Sequence, residues 1–236
     1  MTKELTKKEA TEVATVDLSA WGEVETSSRD MQLPKLLVSQ GLSKLVIEGL
    51  SKIGDLVNSM TLEKIGDTKT PYKFLPFHCE RIFYVSKFVD GSYKFHSIEA
   101  VTPQNTNALY EIVKDGVKYK WEYVMNFYCM TEEMSLPIVV AFKGQSARGG
   151  KNLFTTMYVS NRALGLAPCN TWMNLTSTVE KNAKGSFAVI NPTPGEKSTQ
   201  EHQLECLKWL KVIKETKPTV VDEEVRLADS EEFTRF

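Results

Sequence analysis

YKFLPFHCERIFYVSKFVDGSYKFHSIEAV, residues 72–101, reads as a β-hairpin. Two runs rich in aromatic and β-branched residues flank Asp90-Gly91-Ser92, and an Asp-Gly pair supplies the positive φ angles that tight hairpin turns require. A second copy of the plan follows in ALYEIVKDGVKYKWEYVMNFYCM, residues 108–130, with Asp115-Gly116 at its turn. Alternation in its return arm sets Tyr119, Trp121 and Tyr123 on one face and Lys118, Lys120 and Glu122 on the other.

Outward from the hairpins, LPIVVAFKG (136–144) adds an apolar strand, and TWMNLTSTVEK (171–181) and SFAVINP (186–192) add two more around a turn at residues 182–185. MQLPKLLVSQ (31–40) is a short apolar strand candidate. The segments GLSKLVIEG and KIGDLVNSMTLEKIG are broken by Gly and Asp, which favours turns and β structure over one long helix. Two helices are expected. GQSARGGK opens the first, NLFTTMYVSNRALG, which Gly165 stops. Residues 198–215 form the second, with Leu204, Leu207, Trp209, Leu210 and Ile213 as its apolar stripe.

The ends differ in texture from this body. Residues 1–30 are polar, carry Trp21 as their one aromatic, and read as a flexible N-terminal leader. Residues 217–236 form an acidic C-terminal arm in which Asp222, Glu223, Glu224, Asp229, Glu231 and Glu232 face only Arg226 and Arg235, besides Lys217 at its start. Such a segment cannot bury enough apolar surface to offset the entropy of its own ordering, so Phe233 and Phe236 act as hooks for a partner. Residues 31–216 between these ends make one domain. The expected class is mainly β (α+β): an antiparallel barrel like the oligonucleotide-binding (OB) fold, with an inserted helix and a C-terminal helix.

A net charge of -1 over 236 residues conceals a polarity, because basic residues outnumber acidic ones between Pro71 and Phe187. Cys79, Cys129, Cys169 and Cys206 are widely spaced with no CxxC pair and no secretory signal before them, which points to a reducing cytoplasm. No apolar run reaches membrane-spanning length, so no membrane partner is expected. The three histidines are scattered, and His78 and Cys79, as strand neighbours, point to opposite faces; no metal or other cofactor is expected.

The pattern that carries chemistry is the interleaving of aromatic and basic residues in the two hairpins. Bases stack on exposed rings while lysines track phosphates, a combination indifferent to sequence because every base has a π-face. The candidate nucleic-acid contacts are Lys87, Lys94, Lys118, Lys120, Lys143, Arg148, Lys151 and Arg162, with Tyr84, Tyr93, Tyr119 and Trp121 as stacking platforms. Packing of the same aromatics in a β core is the competing reading. GQSARGGK misses the nucleotide-hydrolase loop pattern, with Gln145 where its first glycine belongs and Asn152 where its hydroxyl belongs. Backbone amides at that helix start, beside Arg148 and Lys151, could still hold one phosphate. No catalytic motif is present; the enzyme alternative would use the Gly149-Gly150-Lys151 loop.

The barrel with its inserted helix, followed by an acidic arm ending in Phe236, resembles the single-stranded-DNA-binding proteins of tailed bacteriophages. The strand Leu136 to Phe142 followed by SARGGKNLFTTMYVSNRALGL (146–166) is similar to phage proteins of replication modules. The resemblance implies binding and protection of single-stranded DNA in replication or recombination, in the host cytoplasm. It further implies that Asp229, Glu231, Glu232, Phe233 and Phe236 recruit replication or recombination proteins, and that a homodimer could form. The alternative is a phage interaction or assembly protein that binds no nucleic acid.

Overall fold

A computed structural model describes residues 31–106, 111–183 and 185–220. The leader (1–30) and the arm residues Asp229, Glu231, Glu232, Phe233 and Phe236 lie outside the described residues. The chain begins with β1 (Gln32–Leu33), β2 (Lys35–Val38), the short helix α1 (Lys44–Ile47), β3 (Leu56–Asn58) and β4 (Lys64–Gly66). The two hairpins follow as β5 (Tyr72–Val89) with β6 (Ser92–Ala100), and β7 (Glu111–Lys114) with β8 (Val117–Met130). Both turns are two-residue loops with positive φ throughout, 51° and 82° at Asp90 and Gly91, 51° and 76° at Asp115 and Gly116. Asp-Gly suits them because glycine takes this conformation without penalty and aspartate takes it more readily than most residues.

Next come β9 (Ile138–Phe142), a 3-10 turn (Gly144–Ser146), α2 (Ala147–Thr155), a π-helical turn (Thr156–Ser160) and the short α3 (Asn161–Ala163). β10 (Thr171–Asn182), β11 (Gly185–Lys197), α4 (Gln200–Thr216) and β12 (Thr219–Val220) complete the chain. Thr199 starts α4 through a capping box: its hydroxyl accepts from His202 N–H at 3.2 Å, while His202 Nδ1 accepts from Thr199 N–H at 3.3 Å. β12 pairs in parallel with β1, tying the first residues of the arm to the start of the domain.

Ten strands form one sheet in the order β11-β10-β5-β8-β9-β2-β3-β4, with β6 added to β5 and β7 to β8. Helices cover both of its sides. On one, Leu153 of α2 and Met157 pack against Phe74, Phe127 and Phe142. On the other, Cys206 and Ile213 of α4 meet Leu75, Phe77, Tyr128, Met130 and Trp172. Each of these buried aromatic or aliphatic side chains stabilises the fold by about 1.5–3 kcal/mol. A bulge at Phe77, where the register shifts between Pro76 and His78, lets the long β5 accommodate a proline that cannot complete a ladder.

The expected OB-like barrel is incorrect. The strand order ends at β11 on one side and β4 on the other, and no ladder joins them, so the sheet is open. The gap between β2 and β11 is spanned by side chains instead. Gln40, two residues past β2, receives Ala188 N–H of β11 on Oε1 at 2.8 Å and gives Nε2–H to Ala188 O at 3.1 Å; nearby, Ser177 Oγ of β10 donates to the Gly54 carbonyl ahead of β3. A Cβ on Gly41 would lie 2.9 Å from Ser186 O, so only glycine permits this approach. Closing a barrel requires tilt and stagger to agree across every strand. Here β2 joins β9 in parallel, and β5 and β8 overrun their neighbours. The resemblance to the single-stranded-DNA-binding proteins of tailed bacteriophages rested on that barrel and falls with it.

Candidate nucleic-acid interface

The outer halves of β5 and β8, with β6 and β7, extend past the helices, and directly paired residues on antiparallel strands share a face. On the α4 side of the sheet the register sets Tyr84 beside Glu122 and Ile98, Ser86 beside Lys120 and Phe95, and Phe88 beside Tyr93. The rings of Phe88 and Tyr93 meet edge-to-face with centroids 5.1 Å apart, and those of Tyr84 and Phe95 at 6.4 Å. Lysines sit among them: Lys118 Nζ is 5.9 Å from the Phe88 ring, Lys120 Nζ 5.8 Å from Tyr93, Lys143 Nζ 5.7 Å and Lys35 Nζ 5.5 Å from Tyr84. The result is a stripe of alternating ring and ammonium. Phe88, Tyr93 and Phe95 are each more than a third exposed and Ile98 is 54% exposed. Among the described residues two carboxylates share this face, Glu111 opposite Lys120 and Glu122 opposite Tyr84, which temper its positive charge.

The α2 side of the same extension is different. Tyr119 and Trp121 stack at 6.0 Å, His96 adds a third ring 5.5 Å from Tyr119, and Trp121 Nε1–H donates to Glu99 at 3.2 Å. Both Tyr119 and Trp121 are half-buried. Lys87 and Lys94 pair across β5 and β6 on this side, with Lys87 opposite Tyr119.

The twelve expected contacts therefore divide. Tyr84, Tyr93, Lys118, Lys120 and Lys143 come together in the stripe. Tyr119, Trp121, Lys87 and Lys94 occupy the reverse face. Arg148 and Lys151 on α2 and Arg162 on α3 are exposed but belong to the helical layer over that reverse face. The stripe also contains Lys35, Phe88 and Phe95, which the site reading omitted. Phe88 was recoverable by counting back from the two-residue turn, which pairs it with Tyr93; Lys35 reaches Tyr84 only through the non-local pairing of β2 with β9.

The glycines before Lys151 have a packing role. Gly149 and Gly150 lie inside α2, and a Cβ on Gly150 would stand 2.6 Å from both Met125 Cε and Phe142 Cβ. They let the helix backbone rest on the sheet, so Gly149 and Gly150 are not part of a loop ahead of the helix.

Buried polar chemistry is modest. Tyr158 OH accepts from Cys79 N–H at 3.0 Å, and burial pushes both the Tyr158 phenol and the Cys79 thiol up to about 12. The Cys169 and Cys206 thiols are hydrogen-bonded between the sheet and α4; that bond lowers Cys169 and raises Cys206. All four cysteines are free. Among the described residues no group of three or more His, Cys, Asp or Glu side chains is placed to hold a metal ion, and no helix is long and apolar enough to cross a membrane.

Compared with known protein families, with curated proteins and with solved structures, the chain matches none.

Proposed function

We propose that the hairpin stripe binds single-stranded nucleic acid without sequence preference. The observation that carries this reading is the alternation of Lys143, Tyr84, Phe95, Lys120, Tyr93, Phe88 and Lys118 on one face that no described helix covers, with the buried Lys35 beneath it donating to Tyr84 OH at 3.3 Å. Successive rings offer stacking platforms and the ammonium groups between them meet phosphates, which needs no barrel groove. Protection of single strands in replication or recombination, and recruitment of partner proteins by Asp229, Glu231, Glu232, Phe233 and Phe236, belong to the same proposal.

A protein interface is the second reading. It is favoured by Leu42, Ile47 and Leu50, which are 89%, 71% and 69% exposed around α1. Salt separates the two. Anisotropy titration of labelled oligothymidylate should give an affinity that falls with salt, log against log, by roughly 0.7 per phosphate contacted. Absence of oligonucleotide binding at low salt would refute the first reading and leave the second.

A further inference from the structure

We infer that the cleft beside the open seam is a pocket for one nucleotide of the bound strand. This rests on the single-strand reading of the stripe. The cleft, about 550 Å³, lies where β2 and β9 face β11. That volume falls inside the roughly 300–1,000 Å³ range of small-molecule sites. Its walls are largely apolar, from Leu37, Ala141, Phe187 and Ile190, with Phe187 the aromatic among them. Apolar walls that include an aromatic suit a base.

Charge and position identify what enters. Among the described residues, Lys35, Lys44 and Lys143 line the cleft together with the carboxylate of Glu122. Lys35 and Lys143 also flank the Tyr84 ring at the inner end of the stripe, so stripe and cleft share these residues. A strand stacked along Phe88, Tyr93 and Tyr84 therefore arrives at the cleft with its phosphates already beside Lys143, while the buried Lys35 holds the Tyr84 hydroxyl at 3.3 Å. The Glu122 carboxylate is an acceptor for a base N–H. The Ser43 hydroxyl, which lines the cleft, has no partner among the described residues and can serve sugar or phosphate. The seam gives the pocket its form: Gln40, just past β2, holds β11 through Ala188 where no ladder joins the two, and space remains beside that contact.

The test uses the full chain and two probes, thymidine monophosphate by equilibrium dialysis and labelled oligothymidylate by anisotropy. Wild type should bind the mononucleotide saturably. Ala141→Phe, which fills the cleft, should weaken that binding at least about tenfold and weaken oligothymidylate by a few-fold, since one nucleotide of many is lost. Lys44→Glu, on a side chain 58% exposed where folding is not at risk, should act in the same direction on both probes. Phe88→Ala with Tyr93→Ala should spare the mononucleotide and weaken the oligonucleotide. The inference is overturned if wild type shows no saturable mononucleotide binding, or if both cleft variants bind it as wild type does. It is also overturned if the cleft variants lose the mononucleotide while oligothymidylate affinity stays unchanged, the behaviour of a site for free nucleotides. Mononucleotide binding by a wild type that ignores oligothymidylate would instead refute the stripe, and with it the claim that the occupant belongs to a strand.

Discussion

The inner and outer halves of β5 and β8 are built from the same residue types and have opposite fates. Inside, Phe127 and Met130 are fully buried between α2 and α4; outside, Phe88 of β5 and its β6 neighbours Tyr93 and Phe95 leave their rings more than a third exposed. Aromatic content and alternation are similar in the two halves. What differs is which helix is long enough and near enough to cover them. Burial is therefore assigned by the layers above the sheet, and an aromatic left outside those layers is available for stacking.

That contrast gives the largest expected effect. Phe127→Ala should cost about 3–5 kcal/mol in chemical denaturation, because it removes a fully packed ring, whereas Phe88→Ala should change stability by well under half of that. Equal losses at both positions would erase the distinction between the halves. Gly150→Ala should come next. The added methyl must displace Met125 or the Phe142 backbone side of its ring, at about 1–3 kcal/mol, while Gly116→Ala, at a turn open to solvent, bears only the cost of its positive φ.

On the binding side, Phe88→Ala and Tyr93→Ala should each weaken oligothymidylate by about 1–3 kcal/mol, if each ring stacks one base. Trp121→Phe on the reverse face should leave affinity near wild type. Lys118→Gln and Lys120→Gln should have smaller effects than the ring substitutions at moderate salt, and the loss should grow as salt is lowered. Each should reduce the salt slope by roughly 0.7, a signature that loss of folding would not give.

The smallest effect belongs to the buried rim of the inner half. Burial, with a lesser push from Lys214, holds His78 below its usual 6.5 against the opposing pull of Glu80. Below that value the unfolded chain binds a proton that the folded chain disfavours, so stability should fall as pH drops through about 6.5 toward the folded-state value. His78→Gln should flatten that decline in denaturation curves taken across the interval.

Much of the local structure was legible in the sequence. Asp90-Gly91 and Asp115-Gly116 located both hairpins, the apolar period located α4, and alternation set Tyr119, Trp121 and Tyr123 apart from Lys118 and Lys120, as the register has them. Closure was not legible, because whether β11 meets β2 through a ladder or through Gln40 depends on the stagger summed over the whole sheet. Bulges hid the rest. The extra residue His96 in β6 sets Ile98, and not Ser97, opposite Tyr84, and the bulge at Phe77 reverses the faces of β5. Simple alternation therefore could not say which tyrosines share a face with which lysines. Lys35 was invisible for a further reason: its approach to Tyr84 spans 49 residues of sequence and depends on the parallel pairing of β2 with β9.

Photo-crosslinking resolves the central contrast most directly. Oligothymidylate carrying 5-bromodeoxyuridine, bound to the full chain and irradiated, should attach to peptides bearing Tyr84, Phe88, Tyr93 or Phe95, and the yield should fall as salt rises. Attachment chiefly to Tyr119 or Trp121 on the reverse face, or to no residue of the hairpin extension, would contradict the account.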